Sequence, residues 1–162
     1  MNIACYFCVV VGLSYNLAGA DPLELIFPYD YKGNIDKVKF NEPSGLVFHP
    51  ARGTIFAVGD GGDLCEIRTD GTVVKNVHHS EADYEGITCD PATGLLYVAV
   101  EGKEQIIELD PEDFALRRTF QLNRVVAGKA VLKEGGQGIE GIAFVPDAEH
   151  PEGGFFYVVN QG

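Results

Sequence analysis

Short apolar runs separated by Gly, Pro and Asp make up most of the chain. Between residues 45 and 77 four such runs follow one another: Gly45–His49, Thr54–Val58, Leu64–Arg68 and Thr72–Val77. A second series of four occupies 86–89, 95–100, 105–109 and 115–122, and residues 155–160 begin a further run. Runs of this length bounded by turn residues predict β-strands, and no stretch of useful length has the 3.6-residue period of a helix.

One phrase, a Gly in an apolar run followed by a turn and a second apolar run, recurs through the chain. Its copies begin at Gly45, Gly86 and Gly141, so they are spaced by 41 and 55 residues. The first spacing is that of a four-stranded propeller blade, and the second fits the same unit with a longer loop. A β-sandwich also has short strands, but it does not repeat a phrase at blade spacing. The sequence therefore predicts an all-β fold, a β-propeller with four-stranded blades, of which about two and a half are present.

The two ends of the chain predict processing and truncation. Residues 1–20 contain no Asp, Glu, Lys or Arg and end in Ala18-Gly19-Ala20. This pattern is typical of a signal peptide and predicts a secreted or periplasmic protein, with a buried first strand as the alternative. Residues 21–162 form the partial propeller domain, in which residues 23–40 are expected to supply outer strands of the last blade. The third copy is cut short, which indicates the front portion of a longer protein.

The formal net charge of −12 limits the kinds of partner that the protein is expected to bind. The acidic charge argues against nucleic acid as a partner, because its phosphates require clustered Lys and Arg, and it favours a cation or a role in solubility instead. No run after residue 20 is long enough to cross a membrane. The two later cysteines, Cys65 and Cys89, are interpreted as free buried thiols, with a bridge between them left open.

Strand order assigns the loops to two faces of the disc. Because antiparallel strands alternate in direction, the loops before the first strand and after the second strand of each blade share one face. Glu85 and Glu140 stand there at the start of innermost strands, and Asp60, Glu101 and Asn160 follow second strands. Carboxylate and amide oxygens are hard ligands, so these five residues are predicted to hold a divalent cation, Ca²⁺ or alternatively Mg²⁺.

Other polar residues are given structural roles. Four further acids of this face are expected to be solvated loop charges: Asp63, Glu81, Glu104 and Glu134. His49 and His150 are expected at the surface of the opposite face. His78 and His79 are adjacent, so in an extended segment they point apart and do not form a zinc site. No nucleophile elbow, phosphate loop or dinucleotide motif is present, so the catalytic residues remain unknown.

The phrases EPSGL from Glu42, EGI from Glu85 and EGI from Glu140, with the residues after the second strands, resemble the SdiA-regulated family of secreted β-propellers. The resemblance covers roughly residues 40–162. It implies a six-bladed propeller when complete and calcium binding near Glu85 and Glu140. Similar phrasing occurs in the esterase-like phytase family, and gluconolactonase-like propellers are more distantly similar.

Three functions are compatible with these features. The first is an exported binding module that holds a cation at the mouth of the propeller channel and presents the acidic face to a ligand or a cell-envelope partner. The alternative is a metal-dependent hydrolase, esterase-like, phytase-like or lactonase-like, that uses the same face. The third is a purely structural repeat domain. The acids at the channel mouth favour the first.

Overall fold

The computed structural model describes residues 9–11, 29–31, 40, 42–132 and 138–160. Every regular element within these residues is a β-strand. The strands are β1 (Val9–Val11), β2 (Tyr29–Tyr31), β3 (Pro43–His49), β4 (Thr54–Gly59), β5 (Asp63–Arg68), β6 (Val73–His78), β7 (Tyr84–Cys89), β8 (Leu96–Val100), β9 (Gln105–Leu109), β10 (Leu116–Gln121), β11 (Val125–Val126), β12 (Lys129–Ala130), β13 (Ile139–Pro146) and β14 (Gly154–Asn160).

Two four-stranded antiparallel sheets correspond to the two predicted series of runs. The first has the order β3-β4-β5-β6 and the second has the order β7-β8-β9-β10. A third sheet consists of β13 and β14. The strand bounds agree with the predicted runs to within about two residues. The turns also follow their sequence, since Asp70 accepts a 2.9 Å hydrogen bond from the Thr72 amide and Gly71 adopts a φ of 85°.

The three sheets stack through their first strands. An added Cβ would lie 2.9 Å from the Gly86 Cα if placed on Gly45, and 3.0 Å from the Gly141 Cα if placed on Gly86. The recurring glycine of the sequence therefore marks the line along which β3, β7 and β13 approach one another. Four-stranded sheets stacked on their innermost strands are the blades of a propeller, so the fold is a partial β-propeller, as predicted.

The main core fills the space between the first two sheets. Its largest members are buried side chains of central strands, among them Phe56, Leu64 and Leu96. A smaller cluster of Phe40, Ala57, Cys65 and Ile67 covers part of the outer face of the first sheet. Leu46 and Phe48 on that face remain exposed. The first sheet is therefore covered on the face toward the second sheet, and only in part on its outer face.

The segment before the first blade contains two short paired strands. β1, which lies within residues 1–20, pairs antiparallel with β2. The signal peptide remains a prediction, and its cleavage site at Ala20 lies outside the described residues. The only regular structure described within residues 23–40 is β2, so the expected outer strands of the last blade are untested. In the part of the chain that the structure describes, no helix has the length and apolarity to cross a membrane.

Both later cysteines are free thiols, as interpreted from the sequence. Cys65 is fully buried in β5, and this burial raises the pKa of its thiol to about 11. Cys89 lies at the end of β7 and is only half-buried.

Candidate functional site: an acidic cluster at the channel mouth

A repeated β-bulge places an extra residue at the start of each innermost strand. In β7 the pairing with β8 shifts between Tyr84 and Gly86, which leaves Glu85 as the extra residue. The same shift occurs around Ser44 in β3 and around Glu140 in β13. A bulge bends its strand and redirects a side chain. Glu85 and Glu140 therefore lie outside the regular alternation of side chains between the two faces of the sheet. The sequence did not reveal this position.

Three carboxylates meet beside this bulge. Asp60 follows β4, while Asp83 and Glu85 flank the first residue of β7, and one oxygen of each lies within 4.8 Å of the others. The backbone holds the loops in place, since the Asp60 amide donates to the Glu42 carbonyl at 3.0 Å and the Glu101 amide donates to the Asp83 carbonyl at 2.9 Å. We call Asp60, Asp83 and Glu85 the acidic cluster.

The carboxylates of the acidic cluster make one another harder to ionise. Burial raises the pKa of Glu85 to about 7, with the charges of Asp83 and Glu140 adding to the effect. Burial, together with the hydrogen bond and the charge of Asp60, raises the pKa of Asp83 to about 6. The Asp83 Oδ1 atom is buried and has no hydrogen-bond partner within the described residues. The cluster is therefore electrostatically strained in the absence of a positive charge.

The five predicted ligands are distributed unevenly around this cluster. Asp60 and Glu85 belong to it, and Asp83, which the sequence did not single out as a ligand, completes it. Glu140 and Glu101 act on it through their charges. The Glu101 carboxylate is buried and accepts a 2.6 Å hydrogen bond from the Gly138 amide. Asn160 pairs with Ile139 at the end of β14.

Two acids expected to be solvated are buried, so that prediction is wrong for them. Asp63 Oδ1 lies 2.9 Å from His78 Nδ1, and Glu104 forms an ion pair with Arg124. Each carboxylate is stabilised by a partner on another strand or loop, which local sequence does not show. Glu81 is exposed, as expected, and Glu134 lies outside the described residues.

The histidine predictions have mixed outcomes. His49 is buried rather than exposed, because its Nε2 donates to the Gly94 carbonyl at 2.8 Å and its ring packs on Phe56. His150 is half-buried against Phe155 instead of lying free at the surface. His78 and His79 turn to different partners, Asp63 and the Tyr84 hydroxyl, in agreement with the prediction that they do not chelate one ion together.

Blade-like sheets that stack on their innermost strands, with an acidic cluster at the start of the second of these strands, define a β-propeller protein. Residues 38–162 match the family described as "Phytase-like: Esterase-like activity of phytase". The match covers most of the chain, and the chain belongs to this family. No curated protein matches the chain.

Several solved structures are similar to parts of the chain. The WD40 domain of Neurospora crassa Pan2 is 20% identical with a TM-score of 0.41, covering 49% of this chain and 24% of that one. The β-propeller domain of Myceliophteria thermophila Cps50 (Swd1) is 11% identical with a TM-score of 0.45, covering 73% and 37%. Chaetomium thermophilum Raptor is 13% identical with a TM-score of 0.44, covering 60% and 8%. The chain therefore spans between 8% and 37% of the length of these structures.

Proposed function

We propose that this chain supplies a divalent-cation centre, Ca²⁺ or alternatively Mg²⁺, at the channel mouth of an exported propeller that binds a ligand on its acidic face. The single observation that carries the proposal is the convergence of three carboxylates within 4.8 Å. Export is proposed from residues 1–20, and the resemblance to the SdiA-regulated family supports calcium as the ion.

The donor set fits a hard cation. Ca²⁺ takes six to eight oxygen ligands in flexible geometry, and carboxylates supply them readily. The buried Oδ1 of Asp83 is an acceptor without a partner, and a cation would satisfy it. The negative charges of Glu85 and Asp83 repel each other, and a bound cation would offset that repulsion. Glu140 is close enough to act on Glu85 and could complete the set from the next sheet.

Calcium titration followed by thermal unfolding tests this centre. A ligand that binds only the folded state at about 100 times its Kd stabilises by about 2.7 kcal/mol, which raises the Tm by about 5 to 10 °C for a chain of this size. We expect Asp83→Asn and Glu85→Gln to remove this rise. Glu81→Gln is the matched control, because Glu81 is an exposed acid of the same loop. An unchanged melt of the unsubstituted chain in both Ca²⁺ and Mg²⁺ would contradict the centre.

A second candidate function, hydrolysis of an ester or phosphoester, is favoured by the family match. A bound cation would supply charge stabilisation of the transition state. Glu85 or Asp83 would accept a proton from the attacking water as its oxygen bonds to the ester carbon or phosphorus. The bond to the leaving oxygen then breaks, and the same carboxyl returns the proton to that oxygen.

The same variants separate the two candidates. If the chain is a hydrolase, an aryl ester or a phosphomonoester is turned over only with the cation present, and Glu85→Gln lowers kcat by about 10² to 10⁴. Turnover that persists in a chelator, or that survives both substitutions, removes the hydrolase candidate. Cation binding without any turnover is the result expected for a binding module.

A further inference from the structure

The third sheet is narrower than its two neighbours. It consists of β13 and β14, whereas the first and second sheets each have four strands. In those sheets the second strand also pairs with a third strand, β4 with β5 and β8 with β9. β14 is the second strand of the third sheet, and it pairs with β13 alone among the described strands. Its other edge therefore offers backbone hydrogen-bonding groups to a further strand.

The residues of β14 leave this edge unprotected. Proteins usually protect edge strands with charged side chains or proline. The outermost strand of the second sheet, β10, carries Arg117 and Arg118, and the outermost strand of the first sheet, β6, carries Lys75. β14 has the sequence GFFYVVN, which contains neither a charged residue nor a proline. Among these three strands, β14 is the one best suited to accept a partner strand.

The second sheet shows what occupies the equivalent edge of a blade. There β9 lies antiparallel along β8, with Ile107 opposite Val98 and Leu109 opposite Leu96. Ile107 and Leu109 pack in the core between the first and second sheets, so both side chains face the preceding sheet. The third strand of a blade therefore attaches by its backbone to one sheet and by two apolar side chains to another.

The first sheet repeats this pattern. Residues 65–67 of β5 read CEI and residues 107–109 of β9 read IEL, and both triplets occupy the same register against the second strand of their sheet. The outer residues of each triplet share one face, because side chains alternate along a strand. They belong to apolar clusters in both sheets. The edge of a second strand in this fold therefore takes an extended segment with apolar residues two positions apart.

The turn after β9 makes a further contact with the preceding sheet. Its Phe114 ring lies 4.4 Å from the Lys75 ammonium of the first sheet. Arg118 holds the same position on the second sheet, since each cation lies opposite the glutamate of the neighbouring third strand. The Lys75 side chain is 23% exposed, whereas that of Arg118 is 43% exposed. Arg118 therefore lacks cover of the kind that Lys75 has.

The position of β14 brings its open edge and Arg118 into one docking area. Val158 and Phe156 of β14 face the second sheet, where Val158 packs with a buried cluster and the Phe156 ring lies 4.8 Å from that of Tyr97 and 5.2 Å from that of Phe120. The Arg118 guanidinium lies 4.3 Å from the centre of the Phe120 ring. A segment added along β14 would therefore lie over the outer strands of the second sheet.

We infer that β14 is a docking edge for a partner polypeptide, which adds an extended segment of the β9 type antiparallel to it. Two apolar side chains of that segment lie opposite Val158 and Phe156 and face the second sheet. An aromatic residue in the turn that follows covers Arg118. Main-chain hydrogen bonds provide the attachment, and the apolar positions provide the selectivity. This contact does not depend on the proposed cation centre.

Binding of a fluorescently labelled peptide to the full chain tests the inference. The peptide has the sequence of residues 104–115, which includes β9 and Phe114. Fluorescence anisotropy should show saturable binding. Ile107→Ala in the peptide should weaken binding about tenfold, because it removes methylene groups that become buried. Ile106→Ala is the matched control, because that side chain points to the other face and its loss should change the Kd by less than about twofold.

Two measurements locate the peptide on the protein. Amide hydrogen exchange should slow in β14 when the peptide is added. A double-mutant cycle that combines Phe114→Ala in the peptide with Arg118→Gln in the protein should give a coupling of about threefold or more. Arg117→Gln is the control in the protein, because Arg117 pairs with Asp110 instead, and it should give no coupling.

Several results would overturn the inference. The first is an absence of saturation up to about 1 mM peptide, and the second is equal binding of a scrambled peptide of the same composition. A third is protection confined to β6 or β10, which would place the peptide on another edge. A loss of affinity from Ile106→Ala as large as that from Ile107→Ala would show that the segment does not dock with the face of β9.

Discussion

At the residue scale, a buried carboxylate joins the first two sheets on the side away from the acidic cluster. Glu66 of β5 is 1% exposed and accepts hydrogen bonds from Arg52 at 2.8 Å and Thr54 at 2.7 Å. Lys75 lies 3.5 Å from the same carboxylate and 4.4 Å from the centre of the Phe114 ring in the second sheet. A related arrangement recurs in the second sheet, where Arg118 bonds Glu108 at 3.0 Å and reaches Glu152. Paired carboxylates on third strands therefore help to fix neighbouring blades.

We predict that Glu66→Gln destabilises the chain by about 1 to 3 kcal/mol, because Arg52 and Lys75 lose a buried charged partner. Burial alone would raise the pKa of Glu66, but the hydrogen bonds from Arg52 and Thr54 lower it below its usual value. A carboxyl with a depressed folded-state pKa stabilises above its unfolded pKa of about 4.3, and that contribution is lost as pH falls through the folded-state pKa. In urea unfolding from pH 7 down to pH 3, the free energy of unfolding should therefore fall less in Glu66→Gln than in the unsubstituted chain.

Glu112→Gln is the control for this carboxylate. Glu112 pairs with the same Arg52 at 2.7 Å, but its side chain is 78% exposed. Exposed ion pairs contribute about 0 to 1 kcal/mol, so this change should be nearly silent. Equal destabilisation by both substitutions would show that burial does not account for the contribution of Glu66 to stability.

At the element scale, the stack of first strands depends on glycine at one position. A methyl group on Gly86 would lie 3.0 Å from the Gly141 Cα and 3.1 Å from the Ile142 nitrogen, and backbone atoms cannot move aside as a flexible side chain can. We predict that Gly86→Ala costs about 1 to 3 kcal/mol, measured by urea unfolding. Gly61→Ala is the matched control, because a Cβ there meets nothing within 4 Å and the residue needs no positive φ. A Gly86→Ala variant with an unchanged free energy of unfolding would mean that the sheets do not stack as described.

The strands of the two complete sheets could be predicted from the sequence. Three features that depend on contacts between separate parts of the chain could not. Apolar runs and turn residues are local signals, so β3 to β10 follow them closely. The bulges at Glu85 and Glu140 depend on how two strands pair, and pairing is not written in either strand alone. The burial of Glu104 depends on Arg124, which is 20 residues away. Asp83 was missed as a member of the cluster for the same reason, since only folding brings its carboxylate to Asp60.

At the scale of the whole molecule, the stack of sheets ends in two apolar faces. The face of the third sheet that would continue the stack exposes Tyr157 at 61% and Val159 at 64%, with Phe155 and Val145 paired beside them. The outer face of the first sheet exposes Leu46 and Phe48 at the opposite end. Interior blades bury such faces against a neighbour, as the second sheet does here between β3 and β13.

We therefore predict that residues 21–162, expressed by themselves, associate or aggregate through these two faces. Because β14 pairs with β13 alone among the described strands, it also presents a strand edge that is unpaired within the described residues, beside the apolar side chains. Light scattering coupled to size-exclusion chromatography should show mass rising with concentration. Phe48→Lys together with Tyr157→Lys should shift the distribution toward monomer, since each places a charge in a contact that buries apolar surface.

Thr119→Lys provides the comparison, because Thr119 is an exposed residue of β10 that belongs to neither end face. It adds the same charge and should leave the association unchanged. A chain of residues 21–162 that remains a monodisperse monomer and unfolds in one cooperative transition would contradict the prediction. In that case the exposed residues of β3 and β14 would be tolerated as surface, and the partial propeller would be stable without further blades.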